Sequence, residues 1–528
     1  MRLPRLLDLA AVLCGLAVLS SLVHWWWRPE ELFLVLLGIV ALRLLVAPVP
    51  VPPLRPRRVV LVGVVVYAIL FSFTTVTRHL TLKTHALDLG YYVQLTWNLA
   101  RGAGPYVSLP EMHAWGDHFS PILYLLVPLF RVAPGAIVLL VFQSVALALG
   151  ALAVFGIAAR RLGDERPAAV FALLYLLNPS LQGINVRDFH SAALAIPLLL
   201  AAIYFAEAER PWLFAAAVLL TLGTREDAAI PVVGLGIWLA LSKRRRLWGA
   251  VTAACAFALL VADTRWLMPH FRGAPYPHLG RYAHLGRSVP EIVTALLLHP
   301  FRALAGLVTG KRLVYLGALL GPLAFLPLLA PGTLLGLAPS LFENLLGQDP
   351  ILFDHRTQYQ SFVLPFLFAA AIAGYDRVAL RRPGPWPKGV LVVAMMASLV
   401  LSSRTVNNFS VERFWPKPEH RQAWDVMAQV PAGAAVSAQD RYVAHLSLRP
   451  LVFVFPEELE KADHLLLNAS SYPWRANPGV TMKRVGDTVT ITNGAGGPTY
   501  RYRVAAEKGP HLLLRRLQAS SSLSLARR

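Results

Sequence analysis

The side chains able to do chemistry in this sequence gather in a few short polar stretches set between long apolar runs. His85 to Pro121 carries Asp88, Asp117 and His118, and later stretches read Arg187-Asp188-Phe189-His190, Arg225-Glu226-Asp227 and Asp354-His355-Arg356, with Tyr359 close behind. Carboxylates and imidazoles can move protons, and arginine grips oxyanions through paired N–H bonds. Each stretch also has a plainer account. Asp88 is a good helix N-cap, Gly116-Asp117-His118 suits a turn before Pro121, and the adjacent opposite charges of the arginine stretches suit solvated pairs. His118, His190 and His355 with nearby carboxylates are candidates to hold a divalent metal. No two of these histidines have helical ligand spacing.

The elements that must position them follow from hydropathy. Of 528 residues, 56% are hydrophobic, above the usual 45–50% of soluble domains, so the chain is expected to be an integral membrane protein. Its net charge of +21 does not imply nucleic acid, because the Arg and Lys residues cluster between apolar spans as the positive-inside rule requires. Cys14 and Cys255 both lie in apolar runs, which excludes a disulfide framework. Walker, GxGxxG, HExxH and GxSxG motifs do not occur, which argues against an ATP-driven pump and a serine hydrolase.

Apolar spans are expected near 6–27, 31–49, 59–77, 135–159, 167–179, 190–207, 211–223, 228–242, 247–262, 313–330, 333–346, 360–376 and 389–403. The first has no A-x-A site and ends at Trp25-Trp26-Trp27, so it reads as an uncleaved span. Arg55–Arg58, Arg160, Arg161, Arg166, Lys243–Arg246, Arg377, Arg381, Arg382 and Lys388 mark the inside. That gives a mainly α, polytopic bundle of about thirteen spans, with a cytoplasmic N-terminus. All the chemistry-bearing stretches then fall at the external ends, where a shared polar cavity would account for charges that are costly at a bilayer edge. The segment 119–132 is expected as a half-helix and 290–309 as an interfacial helix. Leu87, Tyr91, Leu95 and Leu99, opposed by Asp88, Gln94, Asn98 and Arg101, predict an amphipathic helix lying on the membrane.

After Arg404 short apolar runs alternate with turn signals, at Ala434–Ser437, Leu451–Phe455, His464–Asn468, Val489–Thr492 and Leu512–Leu514. The expected organisation is a two-span addition at 1–58, a transmembrane domain at 59–404, an external α/β domain with a closing β-meander at 405–518, and a disordered tail at 519–528.

The runs ALDLGYYVQLTWNLARG, GDHFSPILYLLVPLF, LNPSLQGINVRDFHSAALAIPLLL and TREDAAI resemble the bacterial membrane family called domain of unknown function 2079. So do APSLFENLLGQDP, HRTQYQSFVLPFLFAA and VSAQDRYVAHLSLRPLVFVFP, over most of 80–460. That family is similar in layout to the GT-C glycosyltransferases. The resemblance implies an inner-membrane enzyme that takes a sugar from a polyprenyl-phosphate donor on the extracytoplasmic side and gives it to a lipid, glycan or protein acceptor. It also implies that Asp88, the acid of the first external loop, is the catalytic residue. Asp117, His118, Arg187, Asp188, His190, Arg225, Glu226, His355 and Tyr359 would then bind substrate, with Arg187 or Arg225 on the phosphate. Many GT-C enzymes have a paired acidic motif, whereas Leu89 and Gly90 follow Asp88 here. The alternatives are a flippase or transporter for a lipid-linked saccharide, and a non-enzymatic envelope assembly protein.

Overall fold

The computed structural model describes residues 3–47, 54–241, 245–299, 301, 306–381, 384–470, 479–494 and 496–517. The expected tail at 519–528, and Lys243, Arg244 and Arg382 of the inside loops, lie outside these residues. The chain forms two compact units. The first comprises Met1–Val76, Trp115–Leu123 and Leu140–Phe414; the second comprises Thr77–Ala114, Tyr124–Leu139 and Trp415–Arg528.

The first unit is helical. Among the described residues five helices are long and apolar enough to cross a membrane: Leu3–His24, Pro56–Leu80, Ala136–Leu162, Glu165–Val186 and Arg246–Arg272. The pair Trp386–Leu401 and Ser403–Phe409, bent by 50°, would make a sixth. Several other expected spans form as shorter helices. Pro211–Leu222 and Ala229–Ala240 have 12 residues each, about 18 Å against a hydrocarbon core of about 30 Å. The expected span at 313–330 is broken: helix Gly310–Leu320 gives way to 3₁₀ turns at Gly321–Leu323 and Leu326–Leu329. Pro322 and Pro327 lack the N–H groups a continuous helix needs there. The 119–132 half-helix is a 3₁₀ turn, Pro121–Leu126, running into helix Val127–Val132. Within 290–309 the described helix is Val289–Leu298, and residues 302–305 lie outside the described part.

Local signals set the starts of two helices. The Asn178 side chain accepts from the N–H groups of Ser180 (2.9 Å) and Leu181 (3.3 Å), with Pro179 at the first helical position. Asp164 caps Glu165–Leu176 through the Arg166 N–H at 2.8 Å. Small residues bring three helices into backbone contact. A Cβ on Gly236 would meet the Ala253 nitrogen at 2.5 Å, and one on Gly234 would collide with the Gly336 carbonyl. Such contacts hold helices together where lipid supplies no hydrophobic drive between them. The core behind them is aromatic and aliphatic, with Tyr175, Phe171, Phe366 and Phe368 fully buried.

The second unit carries a seven-stranded mixed sheet in the order β4-β3-β5-β9-β8-β7-β6. The strands are β3 (Val436–Ala438), β4 (Val452–Val454), β5 (His464–Asn468), β6 (Val480–Val485), β7 (Thr488–Asn493), β8 (Thr499–Lys508) and β9 (His511–Arg516). β3 runs parallel to β4 and β5, whereas β6 to β9 form an antiparallel meander. The expected α/β domain and its meander are present. Helices Pro418–Met427 and Asp440–Leu446 pack on this sheet, and Ala86 and Leu109 of the first loop join the same core.

That packing changes the account of the amphipathic helix. Helix Tyr91–Ala100 has Tyr91, Leu95 and Leu99 buried, and Gln94 and Asn98 buried as well. Its polar face is used inside the protein. Gln94 donates to Ser108 Oγ (2.8 Å) and to the carbonyls of Arg449 and Pro450 (both 3.1 Å), and accepts from the Ser108 N–H at 2.8 Å. Asn98 donates to the Tyr106 carbonyl at 2.7 Å, steadying the hairpin β1 (Tyr106–Ser108) and β2 (Glu111–His113). The expectation of a helix lying on the membrane surface is thus replaced by one enclosed on both faces.

Candidate functional site

Asp88 sits in the second unit, half-buried, in a π-helical turn, Ala86–Gly90, that leads into helix Tyr91–Ala100. It does not occupy the N-cap, which is Gly90. The start of the turn is held by Asp440, which accepts from His85 Nδ1 (2.8 Å) and from the Ala86 N–H (2.8 Å). A side chain at Gly90 would press on Ser447, so the C-terminal domain fixes the backbone on which Asp88 stands.

Asp117, His118, Arg225, Glu226 and Tyr359 come together in the first unit. The segment Trp115–Leu123 is pinned by its own backbone: Ile122 N–H donates to the Gly223 carbonyl at 2.8 Å, and Ser120 Oγ meets Ser191 Oγ at 3.1 Å. His118 Nδ1 then lies 3.0 Å from Glu226 Oε1, and the Phe119 N–H donates to Glu226 Oε2 at 3.1 Å. Glu226 follows a sharp turn after helix Pro211–Leu222, and its side chain is fully enclosed. Tyr276 hydroxyl donates to the same carboxylate at 3.4 Å.

The loop after helix Met268–Arg272 completes the cluster. His278 stacks on His118 with ring centres 4.7 Å apart, and its Nε2 donates to the Asp117 carbonyl at 3.1 Å. Arg281 donates to the Tyr359 hydroxyl at 2.8 Å and lies 5.1 Å over that ring. From below, Arg225 lies 5.3 Å from the rings of Tyr359 and Phe362, its guanidinium paired with Asp227 through two hydrogen bonds. Tyr276, His278, Arg281 and Asp227 were not among the expected site residues. The density of His, Tyr and Arg in Pro269–Arg287 was the signal that could have found the first three.

Electrostatics sort the protons. Burial by itself would raise the Glu226 carboxyl, but the charge and hydrogen bond of His118, with Arg225 and His278, outweigh it and hold it at about 2. Burial works against a charged His118, yet Glu226 and Asp117 together raise it above its ordinary 6.5. His278 is pushed down to about 4 by burial and by the charge on His118. The cluster therefore favours a charged carboxylate on Glu226, a proton on His118 and a neutral imidazole on His278.

The remaining expected residues take other places. Arg187 pairs with Asp354 at 2.8 Å, both near half exposed, and beside them burial and the Arg356 charge lower His355. Asp188 has a positive φ of 26°, and its carbonyl accepts from Gln143 at 2.9 Å. Gln143 also accepts from the His190 N–H at 2.9 Å, so one side chain clamps this turn from both sides. The expected metal-binding mixture of His118, His190 and His355 is not the set that converges. Among the described residues the ligand atoms that approach one another within 4.8 Å belong to Asp117, His118 and His278.

Comparison with known proteins agrees with this architecture. The crystal structure of ArnT from Cupriavidus metallidurans bound to undecaprenyl phosphate superposes with a TM-score of 0.51 at 14% identity, over 87% of this chain and 98% of that one. The apo form gives 0.51 at 13% identity, over 86% and 97%. The oligosaccharyltransferase of Archaeoglobus fulgidus gives 0.45 at 13% identity, over 78% and 69%. No curated protein matches by sequence. The family model described as "Predicted membrane protein (DUF2079)" matches residues 78–486. The chain is a membrane protein of the DUF2079 family, with a fold like that of ArnT.

Proposed function

We propose that this protein is a GT-C-type glycosyltransferase that moves a hexosyl or pentosyl unit from a polyprenyl-phosphate donor to an acceptor hydroxyl on the extracytoplasmic side. The observation that carries the reading is the convergence of four separate segments (Trp115–Leu123, Arg225–Asp227, Tyr276–Arg281 and Tyr359) on one charge-sorted cluster. It occurs on a fold shared with a protein that binds undecaprenyl phosphate. In the proposed reaction the acceptor oxygen attacks the anomeric carbon as the bond from that carbon to the phosphate oxygen breaks. The acceptor proton passes to a carboxylate, and the electron pair leaves with the polyprenyl phosphate. Asp88 is the base this proposal assigns. The His118 imidazolium and Arg281 would take the charge growing on the leaving phosphate, with Glu226 keeping His118 protonated.

A divalent cation at Asp117, His118 and His278 is a second reading, favoured by the approach of one carboxylate and two imidazoles. Such a set suits a zinc-like ion with an open position, and Glu226 on His118 Nδ1 is the outer carboxylate such sites use. The cation would polarise the phosphate, and His118 would then be neutral.

The test is transfer from labelled polyprenyl-phosphate sugars by protein reconstituted in liposomes, with glycolipid analysis of a deletion strain. Transfer by wild type, lost in Asp88→Asn and Glu226→Gln, is expected. Unchanged glycans and glycolipids in the deletion strain would overturn the enzyme reading, and movement of the donor across the bilayer without transfer would favour a flippase.

A further inference from the structure

A second feature of the first unit shares no residue with the Glu226 cluster. A cavity of about 540 Å³ is lined by residues of helices Ala136–Leu162 and Ala195–Glu207. Its walls are apolar, including Leu152, Phe155, Ala201 and Phe205, while Arg57, Arg160 and Glu165 are its charged lining residues. Gly156 lets the Tyr204 ring lie directly on the neighbouring helix, since a Cβ there would come within 2.7 Å of the ring. Leu149 and Leu152 face outward, 47% and 39% exposed, so the groove is open to the surrounding lipid.

The charges at this end do not cancel. Arg57 pairs with Glu165 at 2.6 Å, and Arg161 pairs with Glu207. Arg160 is exposed, and among the described residues it donates to the Glu207 carbonyl alone, at 3.1 Å. One guanidinium is therefore left over beside an apolar slot. Gln143, which braces the turn at Asp188 and His190, lies 17 residues earlier on the same helix, about 25 Å away along its axis. No residue that lines the groove belongs to the Glu226 cluster, so the two are separate sites.

We propose that this groove holds an anionic phospholipid of the adjoining leaflet, its acyl chain between the two helices and its phosphate on Arg160, beside the Arg57–Glu165 pair. The volume falls within the roughly 300–1,000 Å³ of ligand pockets. A basic patch between spanning helices is what recognises anionic headgroups, and arginine matches phosphate through two parallel N–H bonds.

Delipidated full-length protein in a neutral detergent tests this, by melting temperature and by native mass spectrometry of bound lipid. Phosphatidylglycerol should raise the melting temperature and remain bound, whereas phosphatidylcholine and inorganic phosphate at equal concentration should not. Arg160→Gln, a surface change, should weaken retention several-fold, and Ala201→Trp should fill the slot and abolish it while gel filtration shows an unchanged monomodal peak. Equal stabilisation by phosphatidylcholine would reduce the groove to ordinary annular contact, and equal stabilisation by phosphate alone would reduce it to an anion site. Full retention by both variants would also overturn the proposal. None of these readouts depends on sugar transfer.

Discussion

His118 and Glu226 are 108 residues apart in the chain, yet the imidazole Nδ1 and the carboxylate Oε1 stand 3.0 Å apart, with Glu226 wholly enclosed. The pair joins the first polar loop to the turn after helix Pro211–Leu222, and it sets the protonation of everything around it. Removing the carboxylate would leave His118 beside Arg225 and His278, where a positive charge is disfavoured.

Glu226→Gln keeps the shape and removes the charge. Transfer activity is expected to fall about 100-fold or more, as when a charge-orienting partner is lost. The expected stability loss is about 1–3 kcal/mol, because an imidazole and the Phe119 N–H lose a charged acceptor. Steady-state rates and denaturation midpoints of the same preparation check both, and wild-type turnover by this variant would remove Glu226 from the mechanism.

The pair also predicts a pH window in metal-free protein. His118 binds its proton more tightly when folded, so its contribution is complete below its ordinary 6.5 and is lost as pH rises through the folded value. Glu226 is shifted the other way, so its contribution is complete above its ordinary 4.5 and is lost as pH falls toward about 2. The gap in melting temperature between wild type and His118→Gln should therefore be widest near pH 5–6. It should narrow steadily on the alkaline side, and a gap that widens there would contradict the assignment.

Asp117 and His278 decide between the two readings of the cluster. If a divalent cation is held there, metal analysis of purified protein should find about one per chain. Asp117→Asn and His278→Ala should each lower its retention 10-fold or more. Activity unaffected by a strong chelator, with no metal found, leaves the imidazolium reading standing alone.

Gln94→Ala tests the buried polar face of helix Tyr91–Ala100. It strands two carbonyls and the Ser108 N–H inside the second unit. The expected cost is about 2–4 kcal/mol, read as easier proteolysis of the loop and C-terminal domain. Were the helix a surface element, the same change would be nearly silent.

The physical basis of what could be read in advance is local. Apolar runs, arginine clusters between them and alternating short strands report on solvent and on neighbours in sequence, so the helical membrane class, the α/β domain and strands such as His464–Asn468 were legible. Span lengths were less so, because a run such as 313–330 is apolar throughout yet broken at Pro322 and Pro327 into 3₁₀ turns. Period alone misassigned Gln94 and Asn98, since an amide facing water and one satisfied by distant carbonyls look the same in a sequence.

By itself the sequence determined that this chain lives in a bilayer, which family it resembles, and which residue types stand at the ends of its spans. Tertiary structure alone decided that Glu226 partners His118, and that His278 and Arg281 belong with them. Hydrogen bonds and ion pairs between residues a hundred positions apart depend on how helices are placed in three dimensions, and side-chain spacing along the chain carries no record of that placement.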